Sequence, residues 1–154
     1  MPAYVRSRLV QAIIHRHRVA RVAERLLAMS CESGSELNIE LVGDRRMRRL
    51  NRVYRRKDQT TDVLSFPMRE AKGPRTALLG DVVISVPMAR RQALQAGRSI
   101  DEELAILLIH GVLHLCGYDH ERGEQEARRM QRRERLMLQR VSPLPTLLAR
   151  MRRG

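Results

Sequence analysis

From Leu104 the hydrophobic pattern becomes nearly continuous: Leu104, Ala105, Ile106, Leu107, Leu108, Ile109, Val112, Leu113 and Leu115 are apolar almost all round. A helix of that kind is a buried one. Ser99-Ile-Asp-Glu102 ahead of it reads as a capping box, with Ser99 at the N-cap and Glu102 at N3. From Ile100 to Cys116 the helix runs about 25 Å, enough to cross a small domain. It is too short and too closely flanked by charge to span a membrane. Gly117 offers the positive φ that ends a helix at low cost.

The other elements follow from weaker periodicities. Tyr4 to Val10 alternates as a short strand. Ile13 to Met29 reads as an amphipathic helix, with Val19, Val22, Ala23, Leu26 and Leu27 on its inner face. Leu37 to Leu41 alternates as a half-buried strand. Asp44 N-caps a helix to about Val53, turning Met47, Leu50 and Val53 inward. Tyr54 to Thr61 is a basic loop, and Asp62 to Phe66 is a strand stopped by Pro67. Met68 to Leu78 holds Gly73-Pro74 and reads as a loop. Gly80 to Ser85 is a continuous apolar, central strand. Pro87 at N1 opens a helix ending near Gly97. Glu121 to Arg140 is a charged helix with a partial stripe of Ala127, Met130, Met137 and Leu138, the methionines serving as core filler. The pattern predicts an α+β fold: one domain, about four strands in a small mixed sheet, about five helices. Residues 1–140 form the predicted catalytic domain. Residues 141–154 form a basic C-terminal tail, its last part mobile and dispensable for the fold.

The buried helix also carries chemistry. His110 and His114 are four apart, so they lie one above the other on one helical face. The turn at Gly117 brings His120 back toward the same point. Three neutral imidazoles can grip one Zn2+ ion and leave a fourth tetrahedral position open to water, the arrangement of a catalytic rather than a structural zinc. Lone histidines in apolar helices are usually hydrogen-bonded core residues; a pair with a third beyond a helix-ending glycine favours a metal. His15 and His17 are two apart and face different ways, so they are poor co-ligands and read as solvated. Cys116 reads as a small buried apolar residue rather than a ligand. The spacing His-x3-His-x5-His is that of metzincin proteases, but the glutamate they place after the first histidine is here Gly111. That argues against simple proteolysis and leaves zinc-water chemistry intact.

Charge narrows the substrate. The formal net charge is +13, with 30 Lys and Arg against 17 Asp and Glu. Only Lys57 and Lys72 are lysines, so nearly all the positive charge is arginine, which pairs bidentately with phosphate. A GC-rich genome also inflates arginine counts, so charge alone favours a nucleic-acid partner only modestly. There is no apolar signal region, no membrane span and no disulfide framework in two cysteines, which fits the cytoplasm.

Three blocks carry a family resemblance: His110-Gly-Val-Leu-His-Leu-Cys-Gly-Tyr-Asp-His120, Leu50-Asn-Arg-Val-Tyr-Arg-Arg-Lys-Asp-Gln-Thr-Thr-Asp-Val-Leu-Ser-Phe-Pro67, and Leu79-Gly-Asp-Val-Val-Ile-Ser85. They resemble the YbeY family of zinc-dependent endoribonucleases, in the family's order, over roughly residues 36 to 138. The resemblance implies one Zn2+ per chain on His110, His114 and His120. It implies Arg55, in Tyr-Arg-x-Lys-Asp, as the catalytic arginine. Lys57 could add a phosphate contact. Asp62, Asp81 and Asp119 could orient the imidazoles, or Asp62 and Asp81 could simply tie down strand ends. The resemblance further implies cleavage of single-stranded RNA in ribosomal RNA maturation, at the 16S rRNA 3′ end on the small ribosomal subunit, and ribosome quality control with ribosome-associated proteins. With one Phe, three Tyr and no Trp, base stacking has few platforms. Two rival readings stand beside it: a zinc peptidase or amidohydrolase of metzincin-like build, and a non-catalytic RNA-binding ribosome assembly factor with structural zinc.

Overall fold

The computed structural model describes residues 3–7, 9, 13–30, 34–68 and 78–149. The elements run β1 (Ala3–Ser7), β2 (Ile13–Ile14), α1 (Arg16–Met29), β3 (Glu36–Val42), α2 (Asp44–Arg55), β4 (Val63–Pro67), β5 (Leu78–Ser85), α3 (Val86–Ala96), α4 (Ile100–Leu115), a 3-10 turn (His120–Arg122), α5 (Glu124–Val141) and β6 (Leu148–Ala149). This is the expected α+β fold: a four-stranded mixed sheet and five helices, among the described residues. The sheet order is β1-β3-β5-β4, parallel except for β4, which is antiparallel to β5 at the edge. β5 is central, as its apolar run requires.

The alternation of the strands sends Leu37, Ile39, Leu41, Val82 and Ile84 to one face, where they join Val22, Leu26 and Leu27 of α1 and Leu108, Val112 and Leu113 of α4 in the main core. Among the described residues the opposite face is only half covered. There α2 packs Met47 and Leu50 against Val42, Leu64, Phe66 and Val83. The main core explains why α4 is apolar all round: the sheet, α1, α3 and α5 all contact it.

Four local expectations are corrected. The predicted helix from Ile13 starts only at Arg16, because Ile13 and Ile14 pair antiparallel with Ala149 and Leu148. That pairing also corrects the reading of the C-terminus. Leu147 and Leu148 are buried, and Asp101 accepts both of their backbone N–H groups, at 2.7 and 3.0 Å. The packed body therefore continues to Ala149; the expected tail beyond it, 150–154, lies outside the described residues. At α2, Gly43 is the N-cap and Asp44 the first helical residue. The Asp44 carboxylate serves tertiary contacts instead, accepting from Ser85 at 3.2 Å and from Arg91 at 3.1 Å. Arg91 beside it holds the Asp44 carboxyl below the usual range. Finally, Val53 is exposed and Asn51 is the buried residue, its Nδ2 donating to the Gln59 carbonyl at 2.8 Å. Of the expected loop 68–78, residues 69–77 lie outside the described residues.

Candidate functional site

Helix α4 begins as its sequence dictates, with Ser99 Oγ accepting from Glu102 N at 3.1 Å. It ends in a Schellman motif: Tyr118 N donates to Leu113 O and Gly117 N to His114 O, both at 3.0 Å. Gly117 takes φ +98°, where a side chain would be strained. The reversed chain enters the 3-10 turn, capped by Asp119, whose Oδ1 accepts from Glu121 N at 2.9 Å. This brings His120 back over the helix end. Its ring centroid lies 5.4 Å from that of His110 and 5.3 Å from that of His114; His110 and His114 are 4.7 Å apart.

One nitrogen from each ring falls within 4.8 Å of the other two, so the three histidines could hold a metal ion. A tetrahedral zinc with Zn–N of about 2.0–2.1 Å holds ligand nitrogens about 3.3 Å apart, within the upper bound the three rings set. Burial, with the charges of His110 and His120 beside it, pushes the His114 pKa down. That favours the neutral imidazole a metal requires. Cys116 is half-buried against the core and is not one of the grouped ligands.

None of the three aspartates expected to orient the rings does so among the described residues. Asp62 ties down the start of β4, accepting from Val63 N at 2.8 Å and from Gln92 at 3.2 Å. Asp119 caps the 3-10 turn and pairs with Arg122. Asp81 lies on the far face of the sheet. The group that meets a ring is Glu134 of α5, with Oε1 at 3.1 Å from His110 Nδ1. An ionised carboxylate only accepts, so the contact favours the tautomer with its proton on Nδ1, which leaves Nε2 for a metal. The sequence carries a signal for it: Met130, Glu134, Met137 and Val141 follow helical spacing, and all but Glu134 are buried core residues. A carboxylate on an inward stripe needs a partner inside.

The histidines line a cleft of about 620 Å³. Ser65 and Pro67 of β4, Arg55, Lys57 and Asp62 line it as well, with Asp119, Glu121 and Arg122 of the His120 turn. Arg55 is in the last turn of α2 rather than in the expected loop. Arg56 then ends the helix in the left-handed conformation, φ 58°, and Arg56 N and Lys57 N close on Arg52 O and Asn51 O. Arg55 is thereby held on a helix end, exposed to the cleft.

Gly111, the position that departs from the protease pattern, has a steric explanation. A Cβ there would stand 2.7 Å from Val82 Cγ1 and 3.3 Å from Ser65 Oγ. The helix lies too close to β5 for any side chain, glutamate included. Ser65 Oγ donates to the Gly111 carbonyl at 3.3 Å across the same contact.

The sequence pattern of the endoribonuclease YbeY family matches residues 6–142. The chain belongs to that family. An endoribonuclease YbeY of Aquifex aeolicus is 41% identical over 129 residues, 84% of this chain and 85% of the relative. That of Geobacter metallireducens is 48% identical over 121 residues, 77% and 81% of the two chains. The solution structure of TM1509 from Thermotoga maritima superposes with a TM-score of 0.65 at 23% identity, covering 90% of this chain and 88% of that one. The last comparison supports the fold.

Proposed function

We propose that the chain is a zinc-dependent endoribonuclease that cleaves single-stranded RNA, with the cleft between α4, β4 and the end of α2 as its active site. One observation carries the reading: three histidines able to hold a metal and the exposed guanidinium of Arg55 line the same cleft. His110, His114 and His120 would hold one zinc ion per chain, and Glu134 would orient His110. A bound zinc ion supplies Lewis-acid polarisation and water activated near neutral pH. The protein's own part is charge and position. Cleavage of a phosphodiester builds negative charge on the phosphoryl oxygens as one P–O bond forms and another breaks. Arg55 faces that charge and stabilises it. Lys57 beside it adds a second cation on the phosphate backbone. A peptidase reading lacks its carboxylate at position 111, where any side chain would meet Val82.

The relatives' name, endoribonuclease, supports RNA as the substrate. We assign the chain further to ribosomal RNA processing at the 16S rRNA 3′ end and to ribosome quality control, with the small ribosomal subunit and ribosome-associated proteins as partners in the cytoplasm. The family membership and the +13 charge support this assignment. Among the described residues no helix is long and apolar enough to cross a membrane. The test is the fate of labelled RNA and of casein with zinc-loaded wild type, His114→Ala and Arg55→Glu. RNA cut by wild type alone, casein untouched and an unaltered melting temperature for Arg55→Glu are expected. Casein cleavage, or Arg55→Glu activity near wild type, overturns the assignment.

A further inference from the structure

The face of the sheet that α2 leaves uncovered holds a second cavity, a groove of about 610 Å³. Its floor is the outward side of β1, β3 and β5, with Tyr4, Arg6, Asn38, Glu40, Asp81 and Val83; α2 forms one wall with Arg46, Leu50 and Tyr54. The chain has only four aromatic residues, three Tyr and one Phe, and three of them line this groove: Tyr4, Tyr54 and Phe66. In so aromatic-poor a chain they would be expected in the core. Instead Tyr4 is 56% exposed and Tyr54 64% exposed. Phe66, half-buried, meets Tyr54 edge-on with centroids 5.1 Å apart, bracing a ring that stays open to solvent.

The groove and the cleft lie on opposite sides of β4. Tyr54 lines the groove and the next residue, Arg55, lines the cleft; Phe66 lines the groove and its neighbours Ser65 and Pro67 line the cleft. The two cavities are thus the two sides of β4, the edge strand, and a chain passing over that edge enters both. The groove's cations are Arg6, Arg16 and Arg46, against Glu40 and Asp81. Arg46 Nε is already paired with Glu40 at 2.7 Å; Arg6 and Arg16 form no ion pair among the described residues and stand open to a polyanion.

We propose that this groove is a stacking subsite for single-stranded RNA, in which Tyr54 carries a base flanking the phosphate held in the cleft. It rests on the ribonuclease reading and deepens it. An aromatic ring accepts any base face, so the subsite gives affinity without sequence choice, and Arg6 and Arg16 follow the backbone beyond it. The scarcity of aromatics, which argued against stacking, is offset by their concentration in one place.

The test is steady-state cleavage by the zinc-loaded full chain of two unstructured RNAs, one of about 4 nucleotides and one of about 16, spanning the site sizes of known single-strand binders. Tyr54→Ala should raise KM for the long RNA about tenfold, the size of one lost base–aromatic stack, and leave kcat, zinc content and the KM of the short RNA unchanged. Tyr54→Phe and Tyr54→Trp should behave as wild type. A long RNA lacking the flanking base should raise KM for wild type and make no further difference to Tyr54→Ala. Equal KM for wild type and Tyr54→Ala on the long RNA overturns the proposal, and so does a Tyr54→Phe variant as weak as Tyr54→Ala, which would point to the hydroxyl. Absence of RNA cleavage by wild type refutes the ribonuclease reading itself, and this subsite with it.

Discussion

Gly111→Ala puts a number on the closeness of α4 to the sheet. In an open helix this change is favourable by about 1 kcal/mol, because alanine loses less backbone freedom. Here the new methyl would lie 2.7 Å from Val82 Cγ1 and 3.0 Å from Val82 Cγ2. Val82 is fully buried on the central strand, and a β-branched side chain has no second comfortable rotamer to retreat into. Overpacking of that kind costs about 1–3 kcal/mol, and the rigidity of Val82 puts it toward the upper end. The net result is a loss of roughly 1–2 kcal/mol. In urea unfolding this lowers the midpoint by about 0.5–1 M at the slopes usual for small domains. The decisive control is the same substitution in a Val82→Ala background. With the methyls gone, Gly111→Ala should become neutral or stabilising by up to about 1 kcal/mol, a coupling that only direct contact produces. Gly111→Ala as stable as wild type in the unaltered background would refute the steric account of that glycine.

Glu134→Ala should weaken zinc binding about 10–100-fold in competition with a chelator, the usual effect of removing a group that orients a ligand, and unchanged affinity would show that His110 needs no brace. Glu103 is buried on α4, and Arg98 Nε lies 3.1 Å from its Oε2 without making a hydrogen bond to it. Burial raises the Glu103 pKa despite Arg98. The unfolded chain then binds fewer protons than the folded one above the ordinary glutamate range, so this residue costs stability as pH rises through that range. Glu103→Gln should therefore raise the melting temperature at neutral pH and lose that advantage in acid; a lower melting temperature at neutral pH would mean that the Arg98 pairing outweighs desolvation. Finally, log K for single-stranded RNA should fall linearly with log salt at about −0.7 per phosphate neutralised, and a flat dependence would remove arginine–phosphate contacts as the source of affinity.

The metal-facing half of the site was legible in the sequence because it is local. Ser99, the apolar run, the i,i+4 histidines and Gly117 all act within about twenty residues, and helix geometry converts their spacing directly into position. Glu134 is not legible in this way, because its meeting with His110 depends on the register of α5 against α4, which no spacing within either helix reports. Asp44 shows a similar limit: it stands where an N-cap is expected, and a distant strand residue and Arg91 claim its carboxylate instead. Val53 fits the period of α2 yet is exposed, because no described residue covers the sheet beyond Leu50. Ile13 and Ile14 look helical in sequence because a two-residue ladder with the far end of the chain leaves no periodicity to see.

The segment that delivers His120 is bounded by Gly117 and Gly123, both at positive φ, and it is the most exposed part of the ligand set. His110 and His114 ride on a helix that cannot move without opening the core, whereas His120 rides on a short surface turn between two glycine joints. Swinging that turn aside asks for local opening only, which is far cheaper than global unfolding. Access to the three histidines is therefore governed at seven residues, of which Tyr118 anchors the turn by packing against the main core and under Arg129. Substituting Gly123 by a residue that resists its backbone conformation should change how quickly a metal ion enters or leaves, while the two helical histidines keep their places.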